Sequence, residues 1–119
     1  MADGSSDEVL EIRTYKIVPG ERDEFHRIFR DGAVPMLHRH GITVVGYGRS
    51  VHDPDHYFLL RAYPSLERRQ EAVDGFYGSD EWLQNYEDAV MPLIETYHTV
   101  VVRVPPHAID AVKAAMASS

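Results

Sequence analysis

Residues 9–18, VLEIRTYKIV, alternate along their length. Leu10, Ile12 and Thr14 fall on one side, and Glu11, Arg13, Tyr15 and Ile17 on the other. A period of two is that of a β-strand, here one with two chemically different faces. Pro19-Gly20 ends it, because proline cannot donate to a ladder and glycine permits a tight turn.

The residues that follow change period. Phe25, Ile28, Phe29, Gly32 and Met36 form one apolar helical stripe, with Glu21, Asp23 and Glu24 in the first turn where the helix dipole favours anions. Pro35 is expected to kink or offset the last turns, and Gly41 to stop them. Residues 42–51 and 57–63 read as a hairpin about the Asp53-Pro54 turn. Residues 66–76 have helical composition. Ser79 is placed to cap a further helix whose buried stripe is Trp82, Tyr86, Ala89, Val90 and Leu93. The β-branched run 96–104 reads as a last strand, stopped by Pro105-Pro106.

The order β-α-β-β-α(α)-β predicts an α+β, ferredoxin-like domain over residues 1–104, with an acidic lead-in at 1–8. The tail, 105–119, has Ile109, Val112 and Met116 at near-helical spacing, and both a docked short helix and a mobile end fit it. A sheet with helices on one face leaves the other bare. That face is expected to carry Tyr15, Val45, Tyr47, Leu59 and Tyr63, and to be covered by a second copy, giving a homodimer.

Twelve Lys and Arg against nineteen Asp and Glu give a net charge of −7. A polyanion partner calls for a basic face, so nucleic acid is not expected. The absence of cysteine excludes disulfides, thiolate metal sites and a cysteine nucleophile. The start, MADGSSDE, lacks the basic and apolar runs of a secretory leader, and no stretch reaches the about 20 apolar residues of a membrane span. No membrane partner is expected, and cytoplasm is the default location.

Several segments resemble one family. EIRTYKIVPG (11–20) resembles the opening strand and turn of NIPSNAP-type domains, LHRHG (37–41) their first-helix exit, and YPSLERR (63–69) with DEW (80–82) their third-strand end and second helical region. The resemblance implies a dimeric α+β barrel with one ligand cavity per subunit. That fold is shared with cofactor-free antibiotic-biosynthesis monooxygenases, polyketide cyclases, muconolactone isomerases and haem-using relatives, so it implies no single chemistry.

Glu11, Arg13 and Arg61 can meet on adjacent strands. An arginine there can hold a carboxylate or a developing enolate oxygen, or the three can form a self-satisfied network in the dimer seam. Tyr15 and Tyr63 offer a general acid or a hydrogen-bond donor, or simply a large apolar body with a polar tip. His98 shares a side with Val100 and Val102. With that side toward the helices, near Trp82 and Tyr86, it is the candidate general base, and a backbone-bonded core histidine is the alternative.

His38 and His40 point to different helix faces, and His52, Asp53, Asp55 and His56 share an exposed loop without support, so no metal is expected. Haem is an option only through the relatives, and no cofactor is expected. Gly46 and Gly48 mark a bulge or the close approach of a helix, or else a pocket wall.

Two functions fit. One is a cofactor-free enzyme that cyclises, isomerises or oxygenates an apolar polyketide-like or aromatic molecule. In it His98 or Tyr15 moves a proton, Arg13 steadies the oxyanion, and Trp82, Tyr86, Tyr63 and Arg61 bind the ligand. The other is a non-catalytic dimer that binds a metabolite or scaffolds proteins.

Overall fold

A computed structural model describes residues 7–117. The strands are β1 (Glu8–Ile17), β2 (Thr43–Arg49), β3 (His56–Tyr63) and β4 (Ile94–Val104), and they form one antiparallel sheet in the order β2-β3-β1-β4. That order, with helical segments between β1 and β2 and between β3 and β4, is the ferredoxin-like plan.

The first helical segment consists of α1 (Arg22–Ile28), a π-helical turn (Phe29–Ala33) and α2 (Val34–Arg39). Pro35 has no N–H, and its ring collides with the carbonyl four residues back. The widened turn just before it takes up that misfit, so the segment continues in place of a sharp kink. Phe25, Phe29, Met36 and Leu37 are all buried as a result. Gly41 then leaves the helix at φ 75°, a conformation open to glycine.

The second segment consists of α3 (Leu66–Tyr77), α4 (Asp80–Asn85), α5 (Glu87–Val90) and a 3-10 turn (Met91–Leu93). Ser65 and Ser79 cap α3 and α4 by accepting from the backbone N–H groups of Arg68 and Trp82. The expected continuous stripe breaks at Tyr86, whose φ of −127° separates α4 from α5. Trp82 and Val90 are buried and Ala89 is exposed.

The two sheet faces are assigned oppositely to the sequence expectation. Tyr15, Leu59 and Tyr63 are buried in the main core, under the helices, and Tyr47 packs against that core. Glu11 and Arg13 of β1 point the same way, since Glu11 pairs across the ladder with Arg61 and both are fully buried, and Arg13 lines the space under the helices. Of the five residues expected on the bare face, only Val45 belongs to it.

That other face is not bare. The tail forms α6 (Pro106–Ala117), which packs over β2, with Ile109 buried against Val45 and Ala62. Gly46 serves the close approach. A Cβ there would lie 2.7 Å from Cγ of Met116, and the ladder is bulged between Val44 and Gly46. The β4 half stays open, where Val100 is 56% and Val102 37% exposed. No helix among the described residues is long and apolar enough to cross a membrane.

Candidate functional site

A cavity of about 320 Å³ lies between the sheet and the helices. Its floor is Arg13 and Tyr15 of β1 with Tyr97 of β4, and its roof is built from Phe29, Tyr77 and Trp82. The strand register puts the floor together, because Tyr15 pairs with Tyr97 directly across the ladder, their rings 6.1 Å apart. The roof is an aromatic lattice. The Tyr77 ring meets Trp82 edge-on at 4.9 Å and Phe76 at 4.8 Å, while Tyr86 stacks behind Trp82 at 6.2 Å.

One end of this apolar space is strongly cationic. Glu11 accepts from Nε of Arg61 at 2.5 Å on one carboxylate oxygen and from Arg69 at 2.6 and 2.9 Å on the other. Nε of Arg13 stands 3.7 Å from Glu11, and the Tyr63 hydroxyl donates to it at 3.5 Å. Three guanidiniums therefore face one carboxylate, an excess of two positive charges (3 − 1). Arginine stays protonated in any such setting, so the excess is permanent. Nε of Arg13 and Nη2 of Arg61 are buried without a hydrogen-bond partner, so the network does not satisfy itself.

Protonation follows from these neighbours. Burial alone would raise the Glu11 carboxyl, but the hydrogen bond and charge of Arg61, with Arg13 and Arg69, bring it below the ordinary carboxylate value. Burial pushes the Tyr63 phenol up to about 12 and raises that of Tyr15 further. At neutral pH both are hydrogen-bond donors, not bases.

The NIPSNAP family model matches residues 10–106. The chain belongs to that family. The fold agrees. A NIPSNAP family protein of unknown function from Agrobacterium tumefaciens superposes with a TM-score of 0.77 at 23% identity, over 84% of this chain and 90% of its own. An uncharacterised NIPSNAP-like domain protein from Burkholderia xenovorans gives 0.76 at 20% identity, over 84% and 86%. A candidate antibiotic biosynthesis monooxygenase from Nitrosomonas europaea gives 0.63 at 16% identity, over 80% and 88%. At these identities the likeness is one of fold. No curated protein matches the sequence.

In this NIPSNAP domain the predicted site residues separate into groups. Arg13, Tyr15 and Trp82 line the cavity. Arg61 and Tyr63 lie outside its lining, bonded to Glu11, and Tyr86 backs Trp82. His98 is elsewhere. It pairs with Thr14, which puts it with Val100 and Val102 on the face away from the helices, and it is exposed. It cannot serve as base in the cavity, and no histidine lines that space. The lining therefore offers no axial imidazole to a haem.

The Glu11 network belongs to the helix side of the sheet, not to a seam on the other face. Tyr77, Tyr97 and Arg69 were not singled out from sequence. Tyr97 was accessible through the alternation of the last strand, and Arg69 through the same YPSLERR segment that carries the family resemblance. Tyr77, the last residue of a helix before Gly78, carries no local sign.

Proposed function

We propose that the cavity takes an apolar, ring-bearing small molecule whose carboxylate, phenolate or enolate oxygen meets Arg13, and that the protein acts on such a compound without a bound cofactor. The observation that carries this reading is the surplus of two positive charges around Glu11, at the end of a largely apolar space that Arg13 enters. A permanent cation in a poorly solvated site stabilises an oxyanion far more than the same cation in water.

Glu87 is the carboxylate in the cavity lining and the acceptor we assign to the leaving proton. The substrate C–H bond breaks and its proton goes to Glu87. The electron pair enters a new C=C bond, and the carbonyl π pair moves onto the oxygen beside Arg13. Cyclisation, isomerisation and reaction of the carbanion with dioxygen all start from that enolate.

Trp82 is the chain's single tryptophan and lines the cavity, so its fluorescence reports occupancy. 1-Naphthoate should quench it at lower concentration than neutral 1-naphthalenemethanol, and Arg13→Met should abolish the difference. Equal affinities in the wild type would remove Arg13 as an anion partner. Hydrogen exchange of 2-tetralone in D2O, followed by NMR, tests the chemistry. Acceleration that Glu87→Gln removes supports the enzyme, whereas binding without acceleration supports a metabolite-binding module.

We also propose a second copy as the occupant of the open β4 half of the sheet. Val100 and Val102 make an apolar patch on the face that α6 covers over β2, and a two-fold axis would bury it against itself.

A further inference from the structure

We propose that the Tyr77 hydroxyl donates the hydrogen bond that holds the ligand's oxyanion, with Arg61 polarising it from a position the ligand does not reach. This rests on the cavity reading above, and it narrows the ligand to compounds whose oxygen becomes anionic, namely enolisable ketones and phenols.

Tyr77 is held firmly. It ends α3, where the Gly78 N–H bonds back to the carbonyl of Asp74 and the Ser79 hydroxyl donates to the carbonyl of Phe76 at 2.7 Å. Its ring is wedged between Phe76 and Trp82. Its oxygen accepts from Nη1 of Arg13 at 3.2 Å and from Nη1 of Arg61 at 3.1 Å.

The two guanidiniums donate only and have no lone pair to receive a proton. With both of them on the Tyr77 oxygen, its own hydrogen must point elsewhere. Glu11, the carboxylate that Arg61 also bonds, is occupied by Arg61 and Tyr63 on one oxygen and by Arg69 on the other. No hydrogen bond from the Tyr77 hydroxyl to an acceptor occurs among the described residues. Tyr77 lines the cavity, so its O–H is a donor open to whatever fills that space.

Two charge-assisted bonds into the same oxygen draw electron density from the O–H and strengthen it toward an anionic acceptor. Arg61 is fully buried and outside the cavity lining, so it acts through Tyr77 and is a positioning residue. Its Nε bond to Glu11 fixes the fork that presents Nη1 to the phenol.

4-Nitrophenol is a direct probe, yellow as the phenolate and colourless as the phenol. It is mixed with the full-length protein at a pH where the free probe is mostly colourless. Binding to the wild type is expected to turn it yellow. Tyr77→Phe, which keeps the ring and Arg13, should lower the bound phenolate-to-phenol ratio about tenfold or more. Arg61→Lys should shift it in the same direction by less.

Nitrobenzene, which has no ionisable oxygen, should quench Trp82 equally in all three proteins, and this controls for the fold of the variants. A Tyr77→Phe protein that binds nitrobenzene normally and ionises 4-nitrophenol as the wild type does overturns the assignment of Tyr77 and leaves the cavity reading standing. Failure of both probes to quench Trp82 in the wild type overturns both.

Discussion

Arg61 and Glu11 face each other across β3 and β1, Nε 2.5 Å from Oε1, and neither side chain reaches solvent. A pair so placed is costly to break, because the surviving charge has no water to turn to. Glu11→Gln leaves three guanidiniums without a counter-charge. It should cost about 3–5 kcal/mol of folding stability, read from urea midpoints at neutral pH.

Acid should erase that difference. The folded Glu11 carboxyl lies below its ordinary value, so its contribution is complete above the usual carboxylate range and fades as pH falls through its own lowered value. The stability gap between wild type and Glu11→Gln, followed by urea titration at successively lower pH, should narrow only well into the acid range.

Alkali acts on the tyrosines with the opposite sign. Burial raises Tyr63 from 10.0 to about 12, and Tyr15 and Tyr57 rise as well. Unfolded chains release these protons first, so the stability is whole below pH 10.0 and declines as pH climbs toward about 12. Phenolate absorbance should show Tyr15, Tyr57 and Tyr63 titrating late, and together with loss of the fold.

Gly32 lies under the Tyr86 ring, where an added Cβ would fall 2.5 Å from Cε1. Alanine is the better helix former by about 1 kcal/mol. The collision outweighs that gain, since the ring it displaces is the one stacked on Trp82. Gly32→Ala should destabilise by about 1 kcal/mol and should shift the Trp82 emission maximum.

The open half of the sheet predicts self-association. The wild type should sediment as a pair at micromolar concentration, and Val100→Glu, placed in the apolar patch, as single folded copies. A wild type that remains single would leave Val100 and Val102 without the occupant assigned to them.

Much of this molecule could be read from residue order alone. The order of strands and helices, the stops at Pro19-Gly20, Gly41 and Pro105, and the cap at Ser79 are local events. They depend on backbone geometry and on neighbours a few residues away. The meeting of Glu11 and Arg61 was also within reach, since adjacent strands bring residues of one face together.

Which face turned inward was not. Periodicity separates two sides of a strand, but both sides of β1 carry apolar groups, and the side with Glu11 and Arg13 is the buried one. The Glu11 carboxylate acquires its hydrogen-bond donors only once β3 and α3 deliver Arg61 and Arg69 to it. The same long-range assembly sends His98 to the far face, lays α6 across β2, and brings the end of α3 onto two arginines. Alternation can be seen along one strand, whereas the cost of burying a charge depends on partners that only the packed chain supplies.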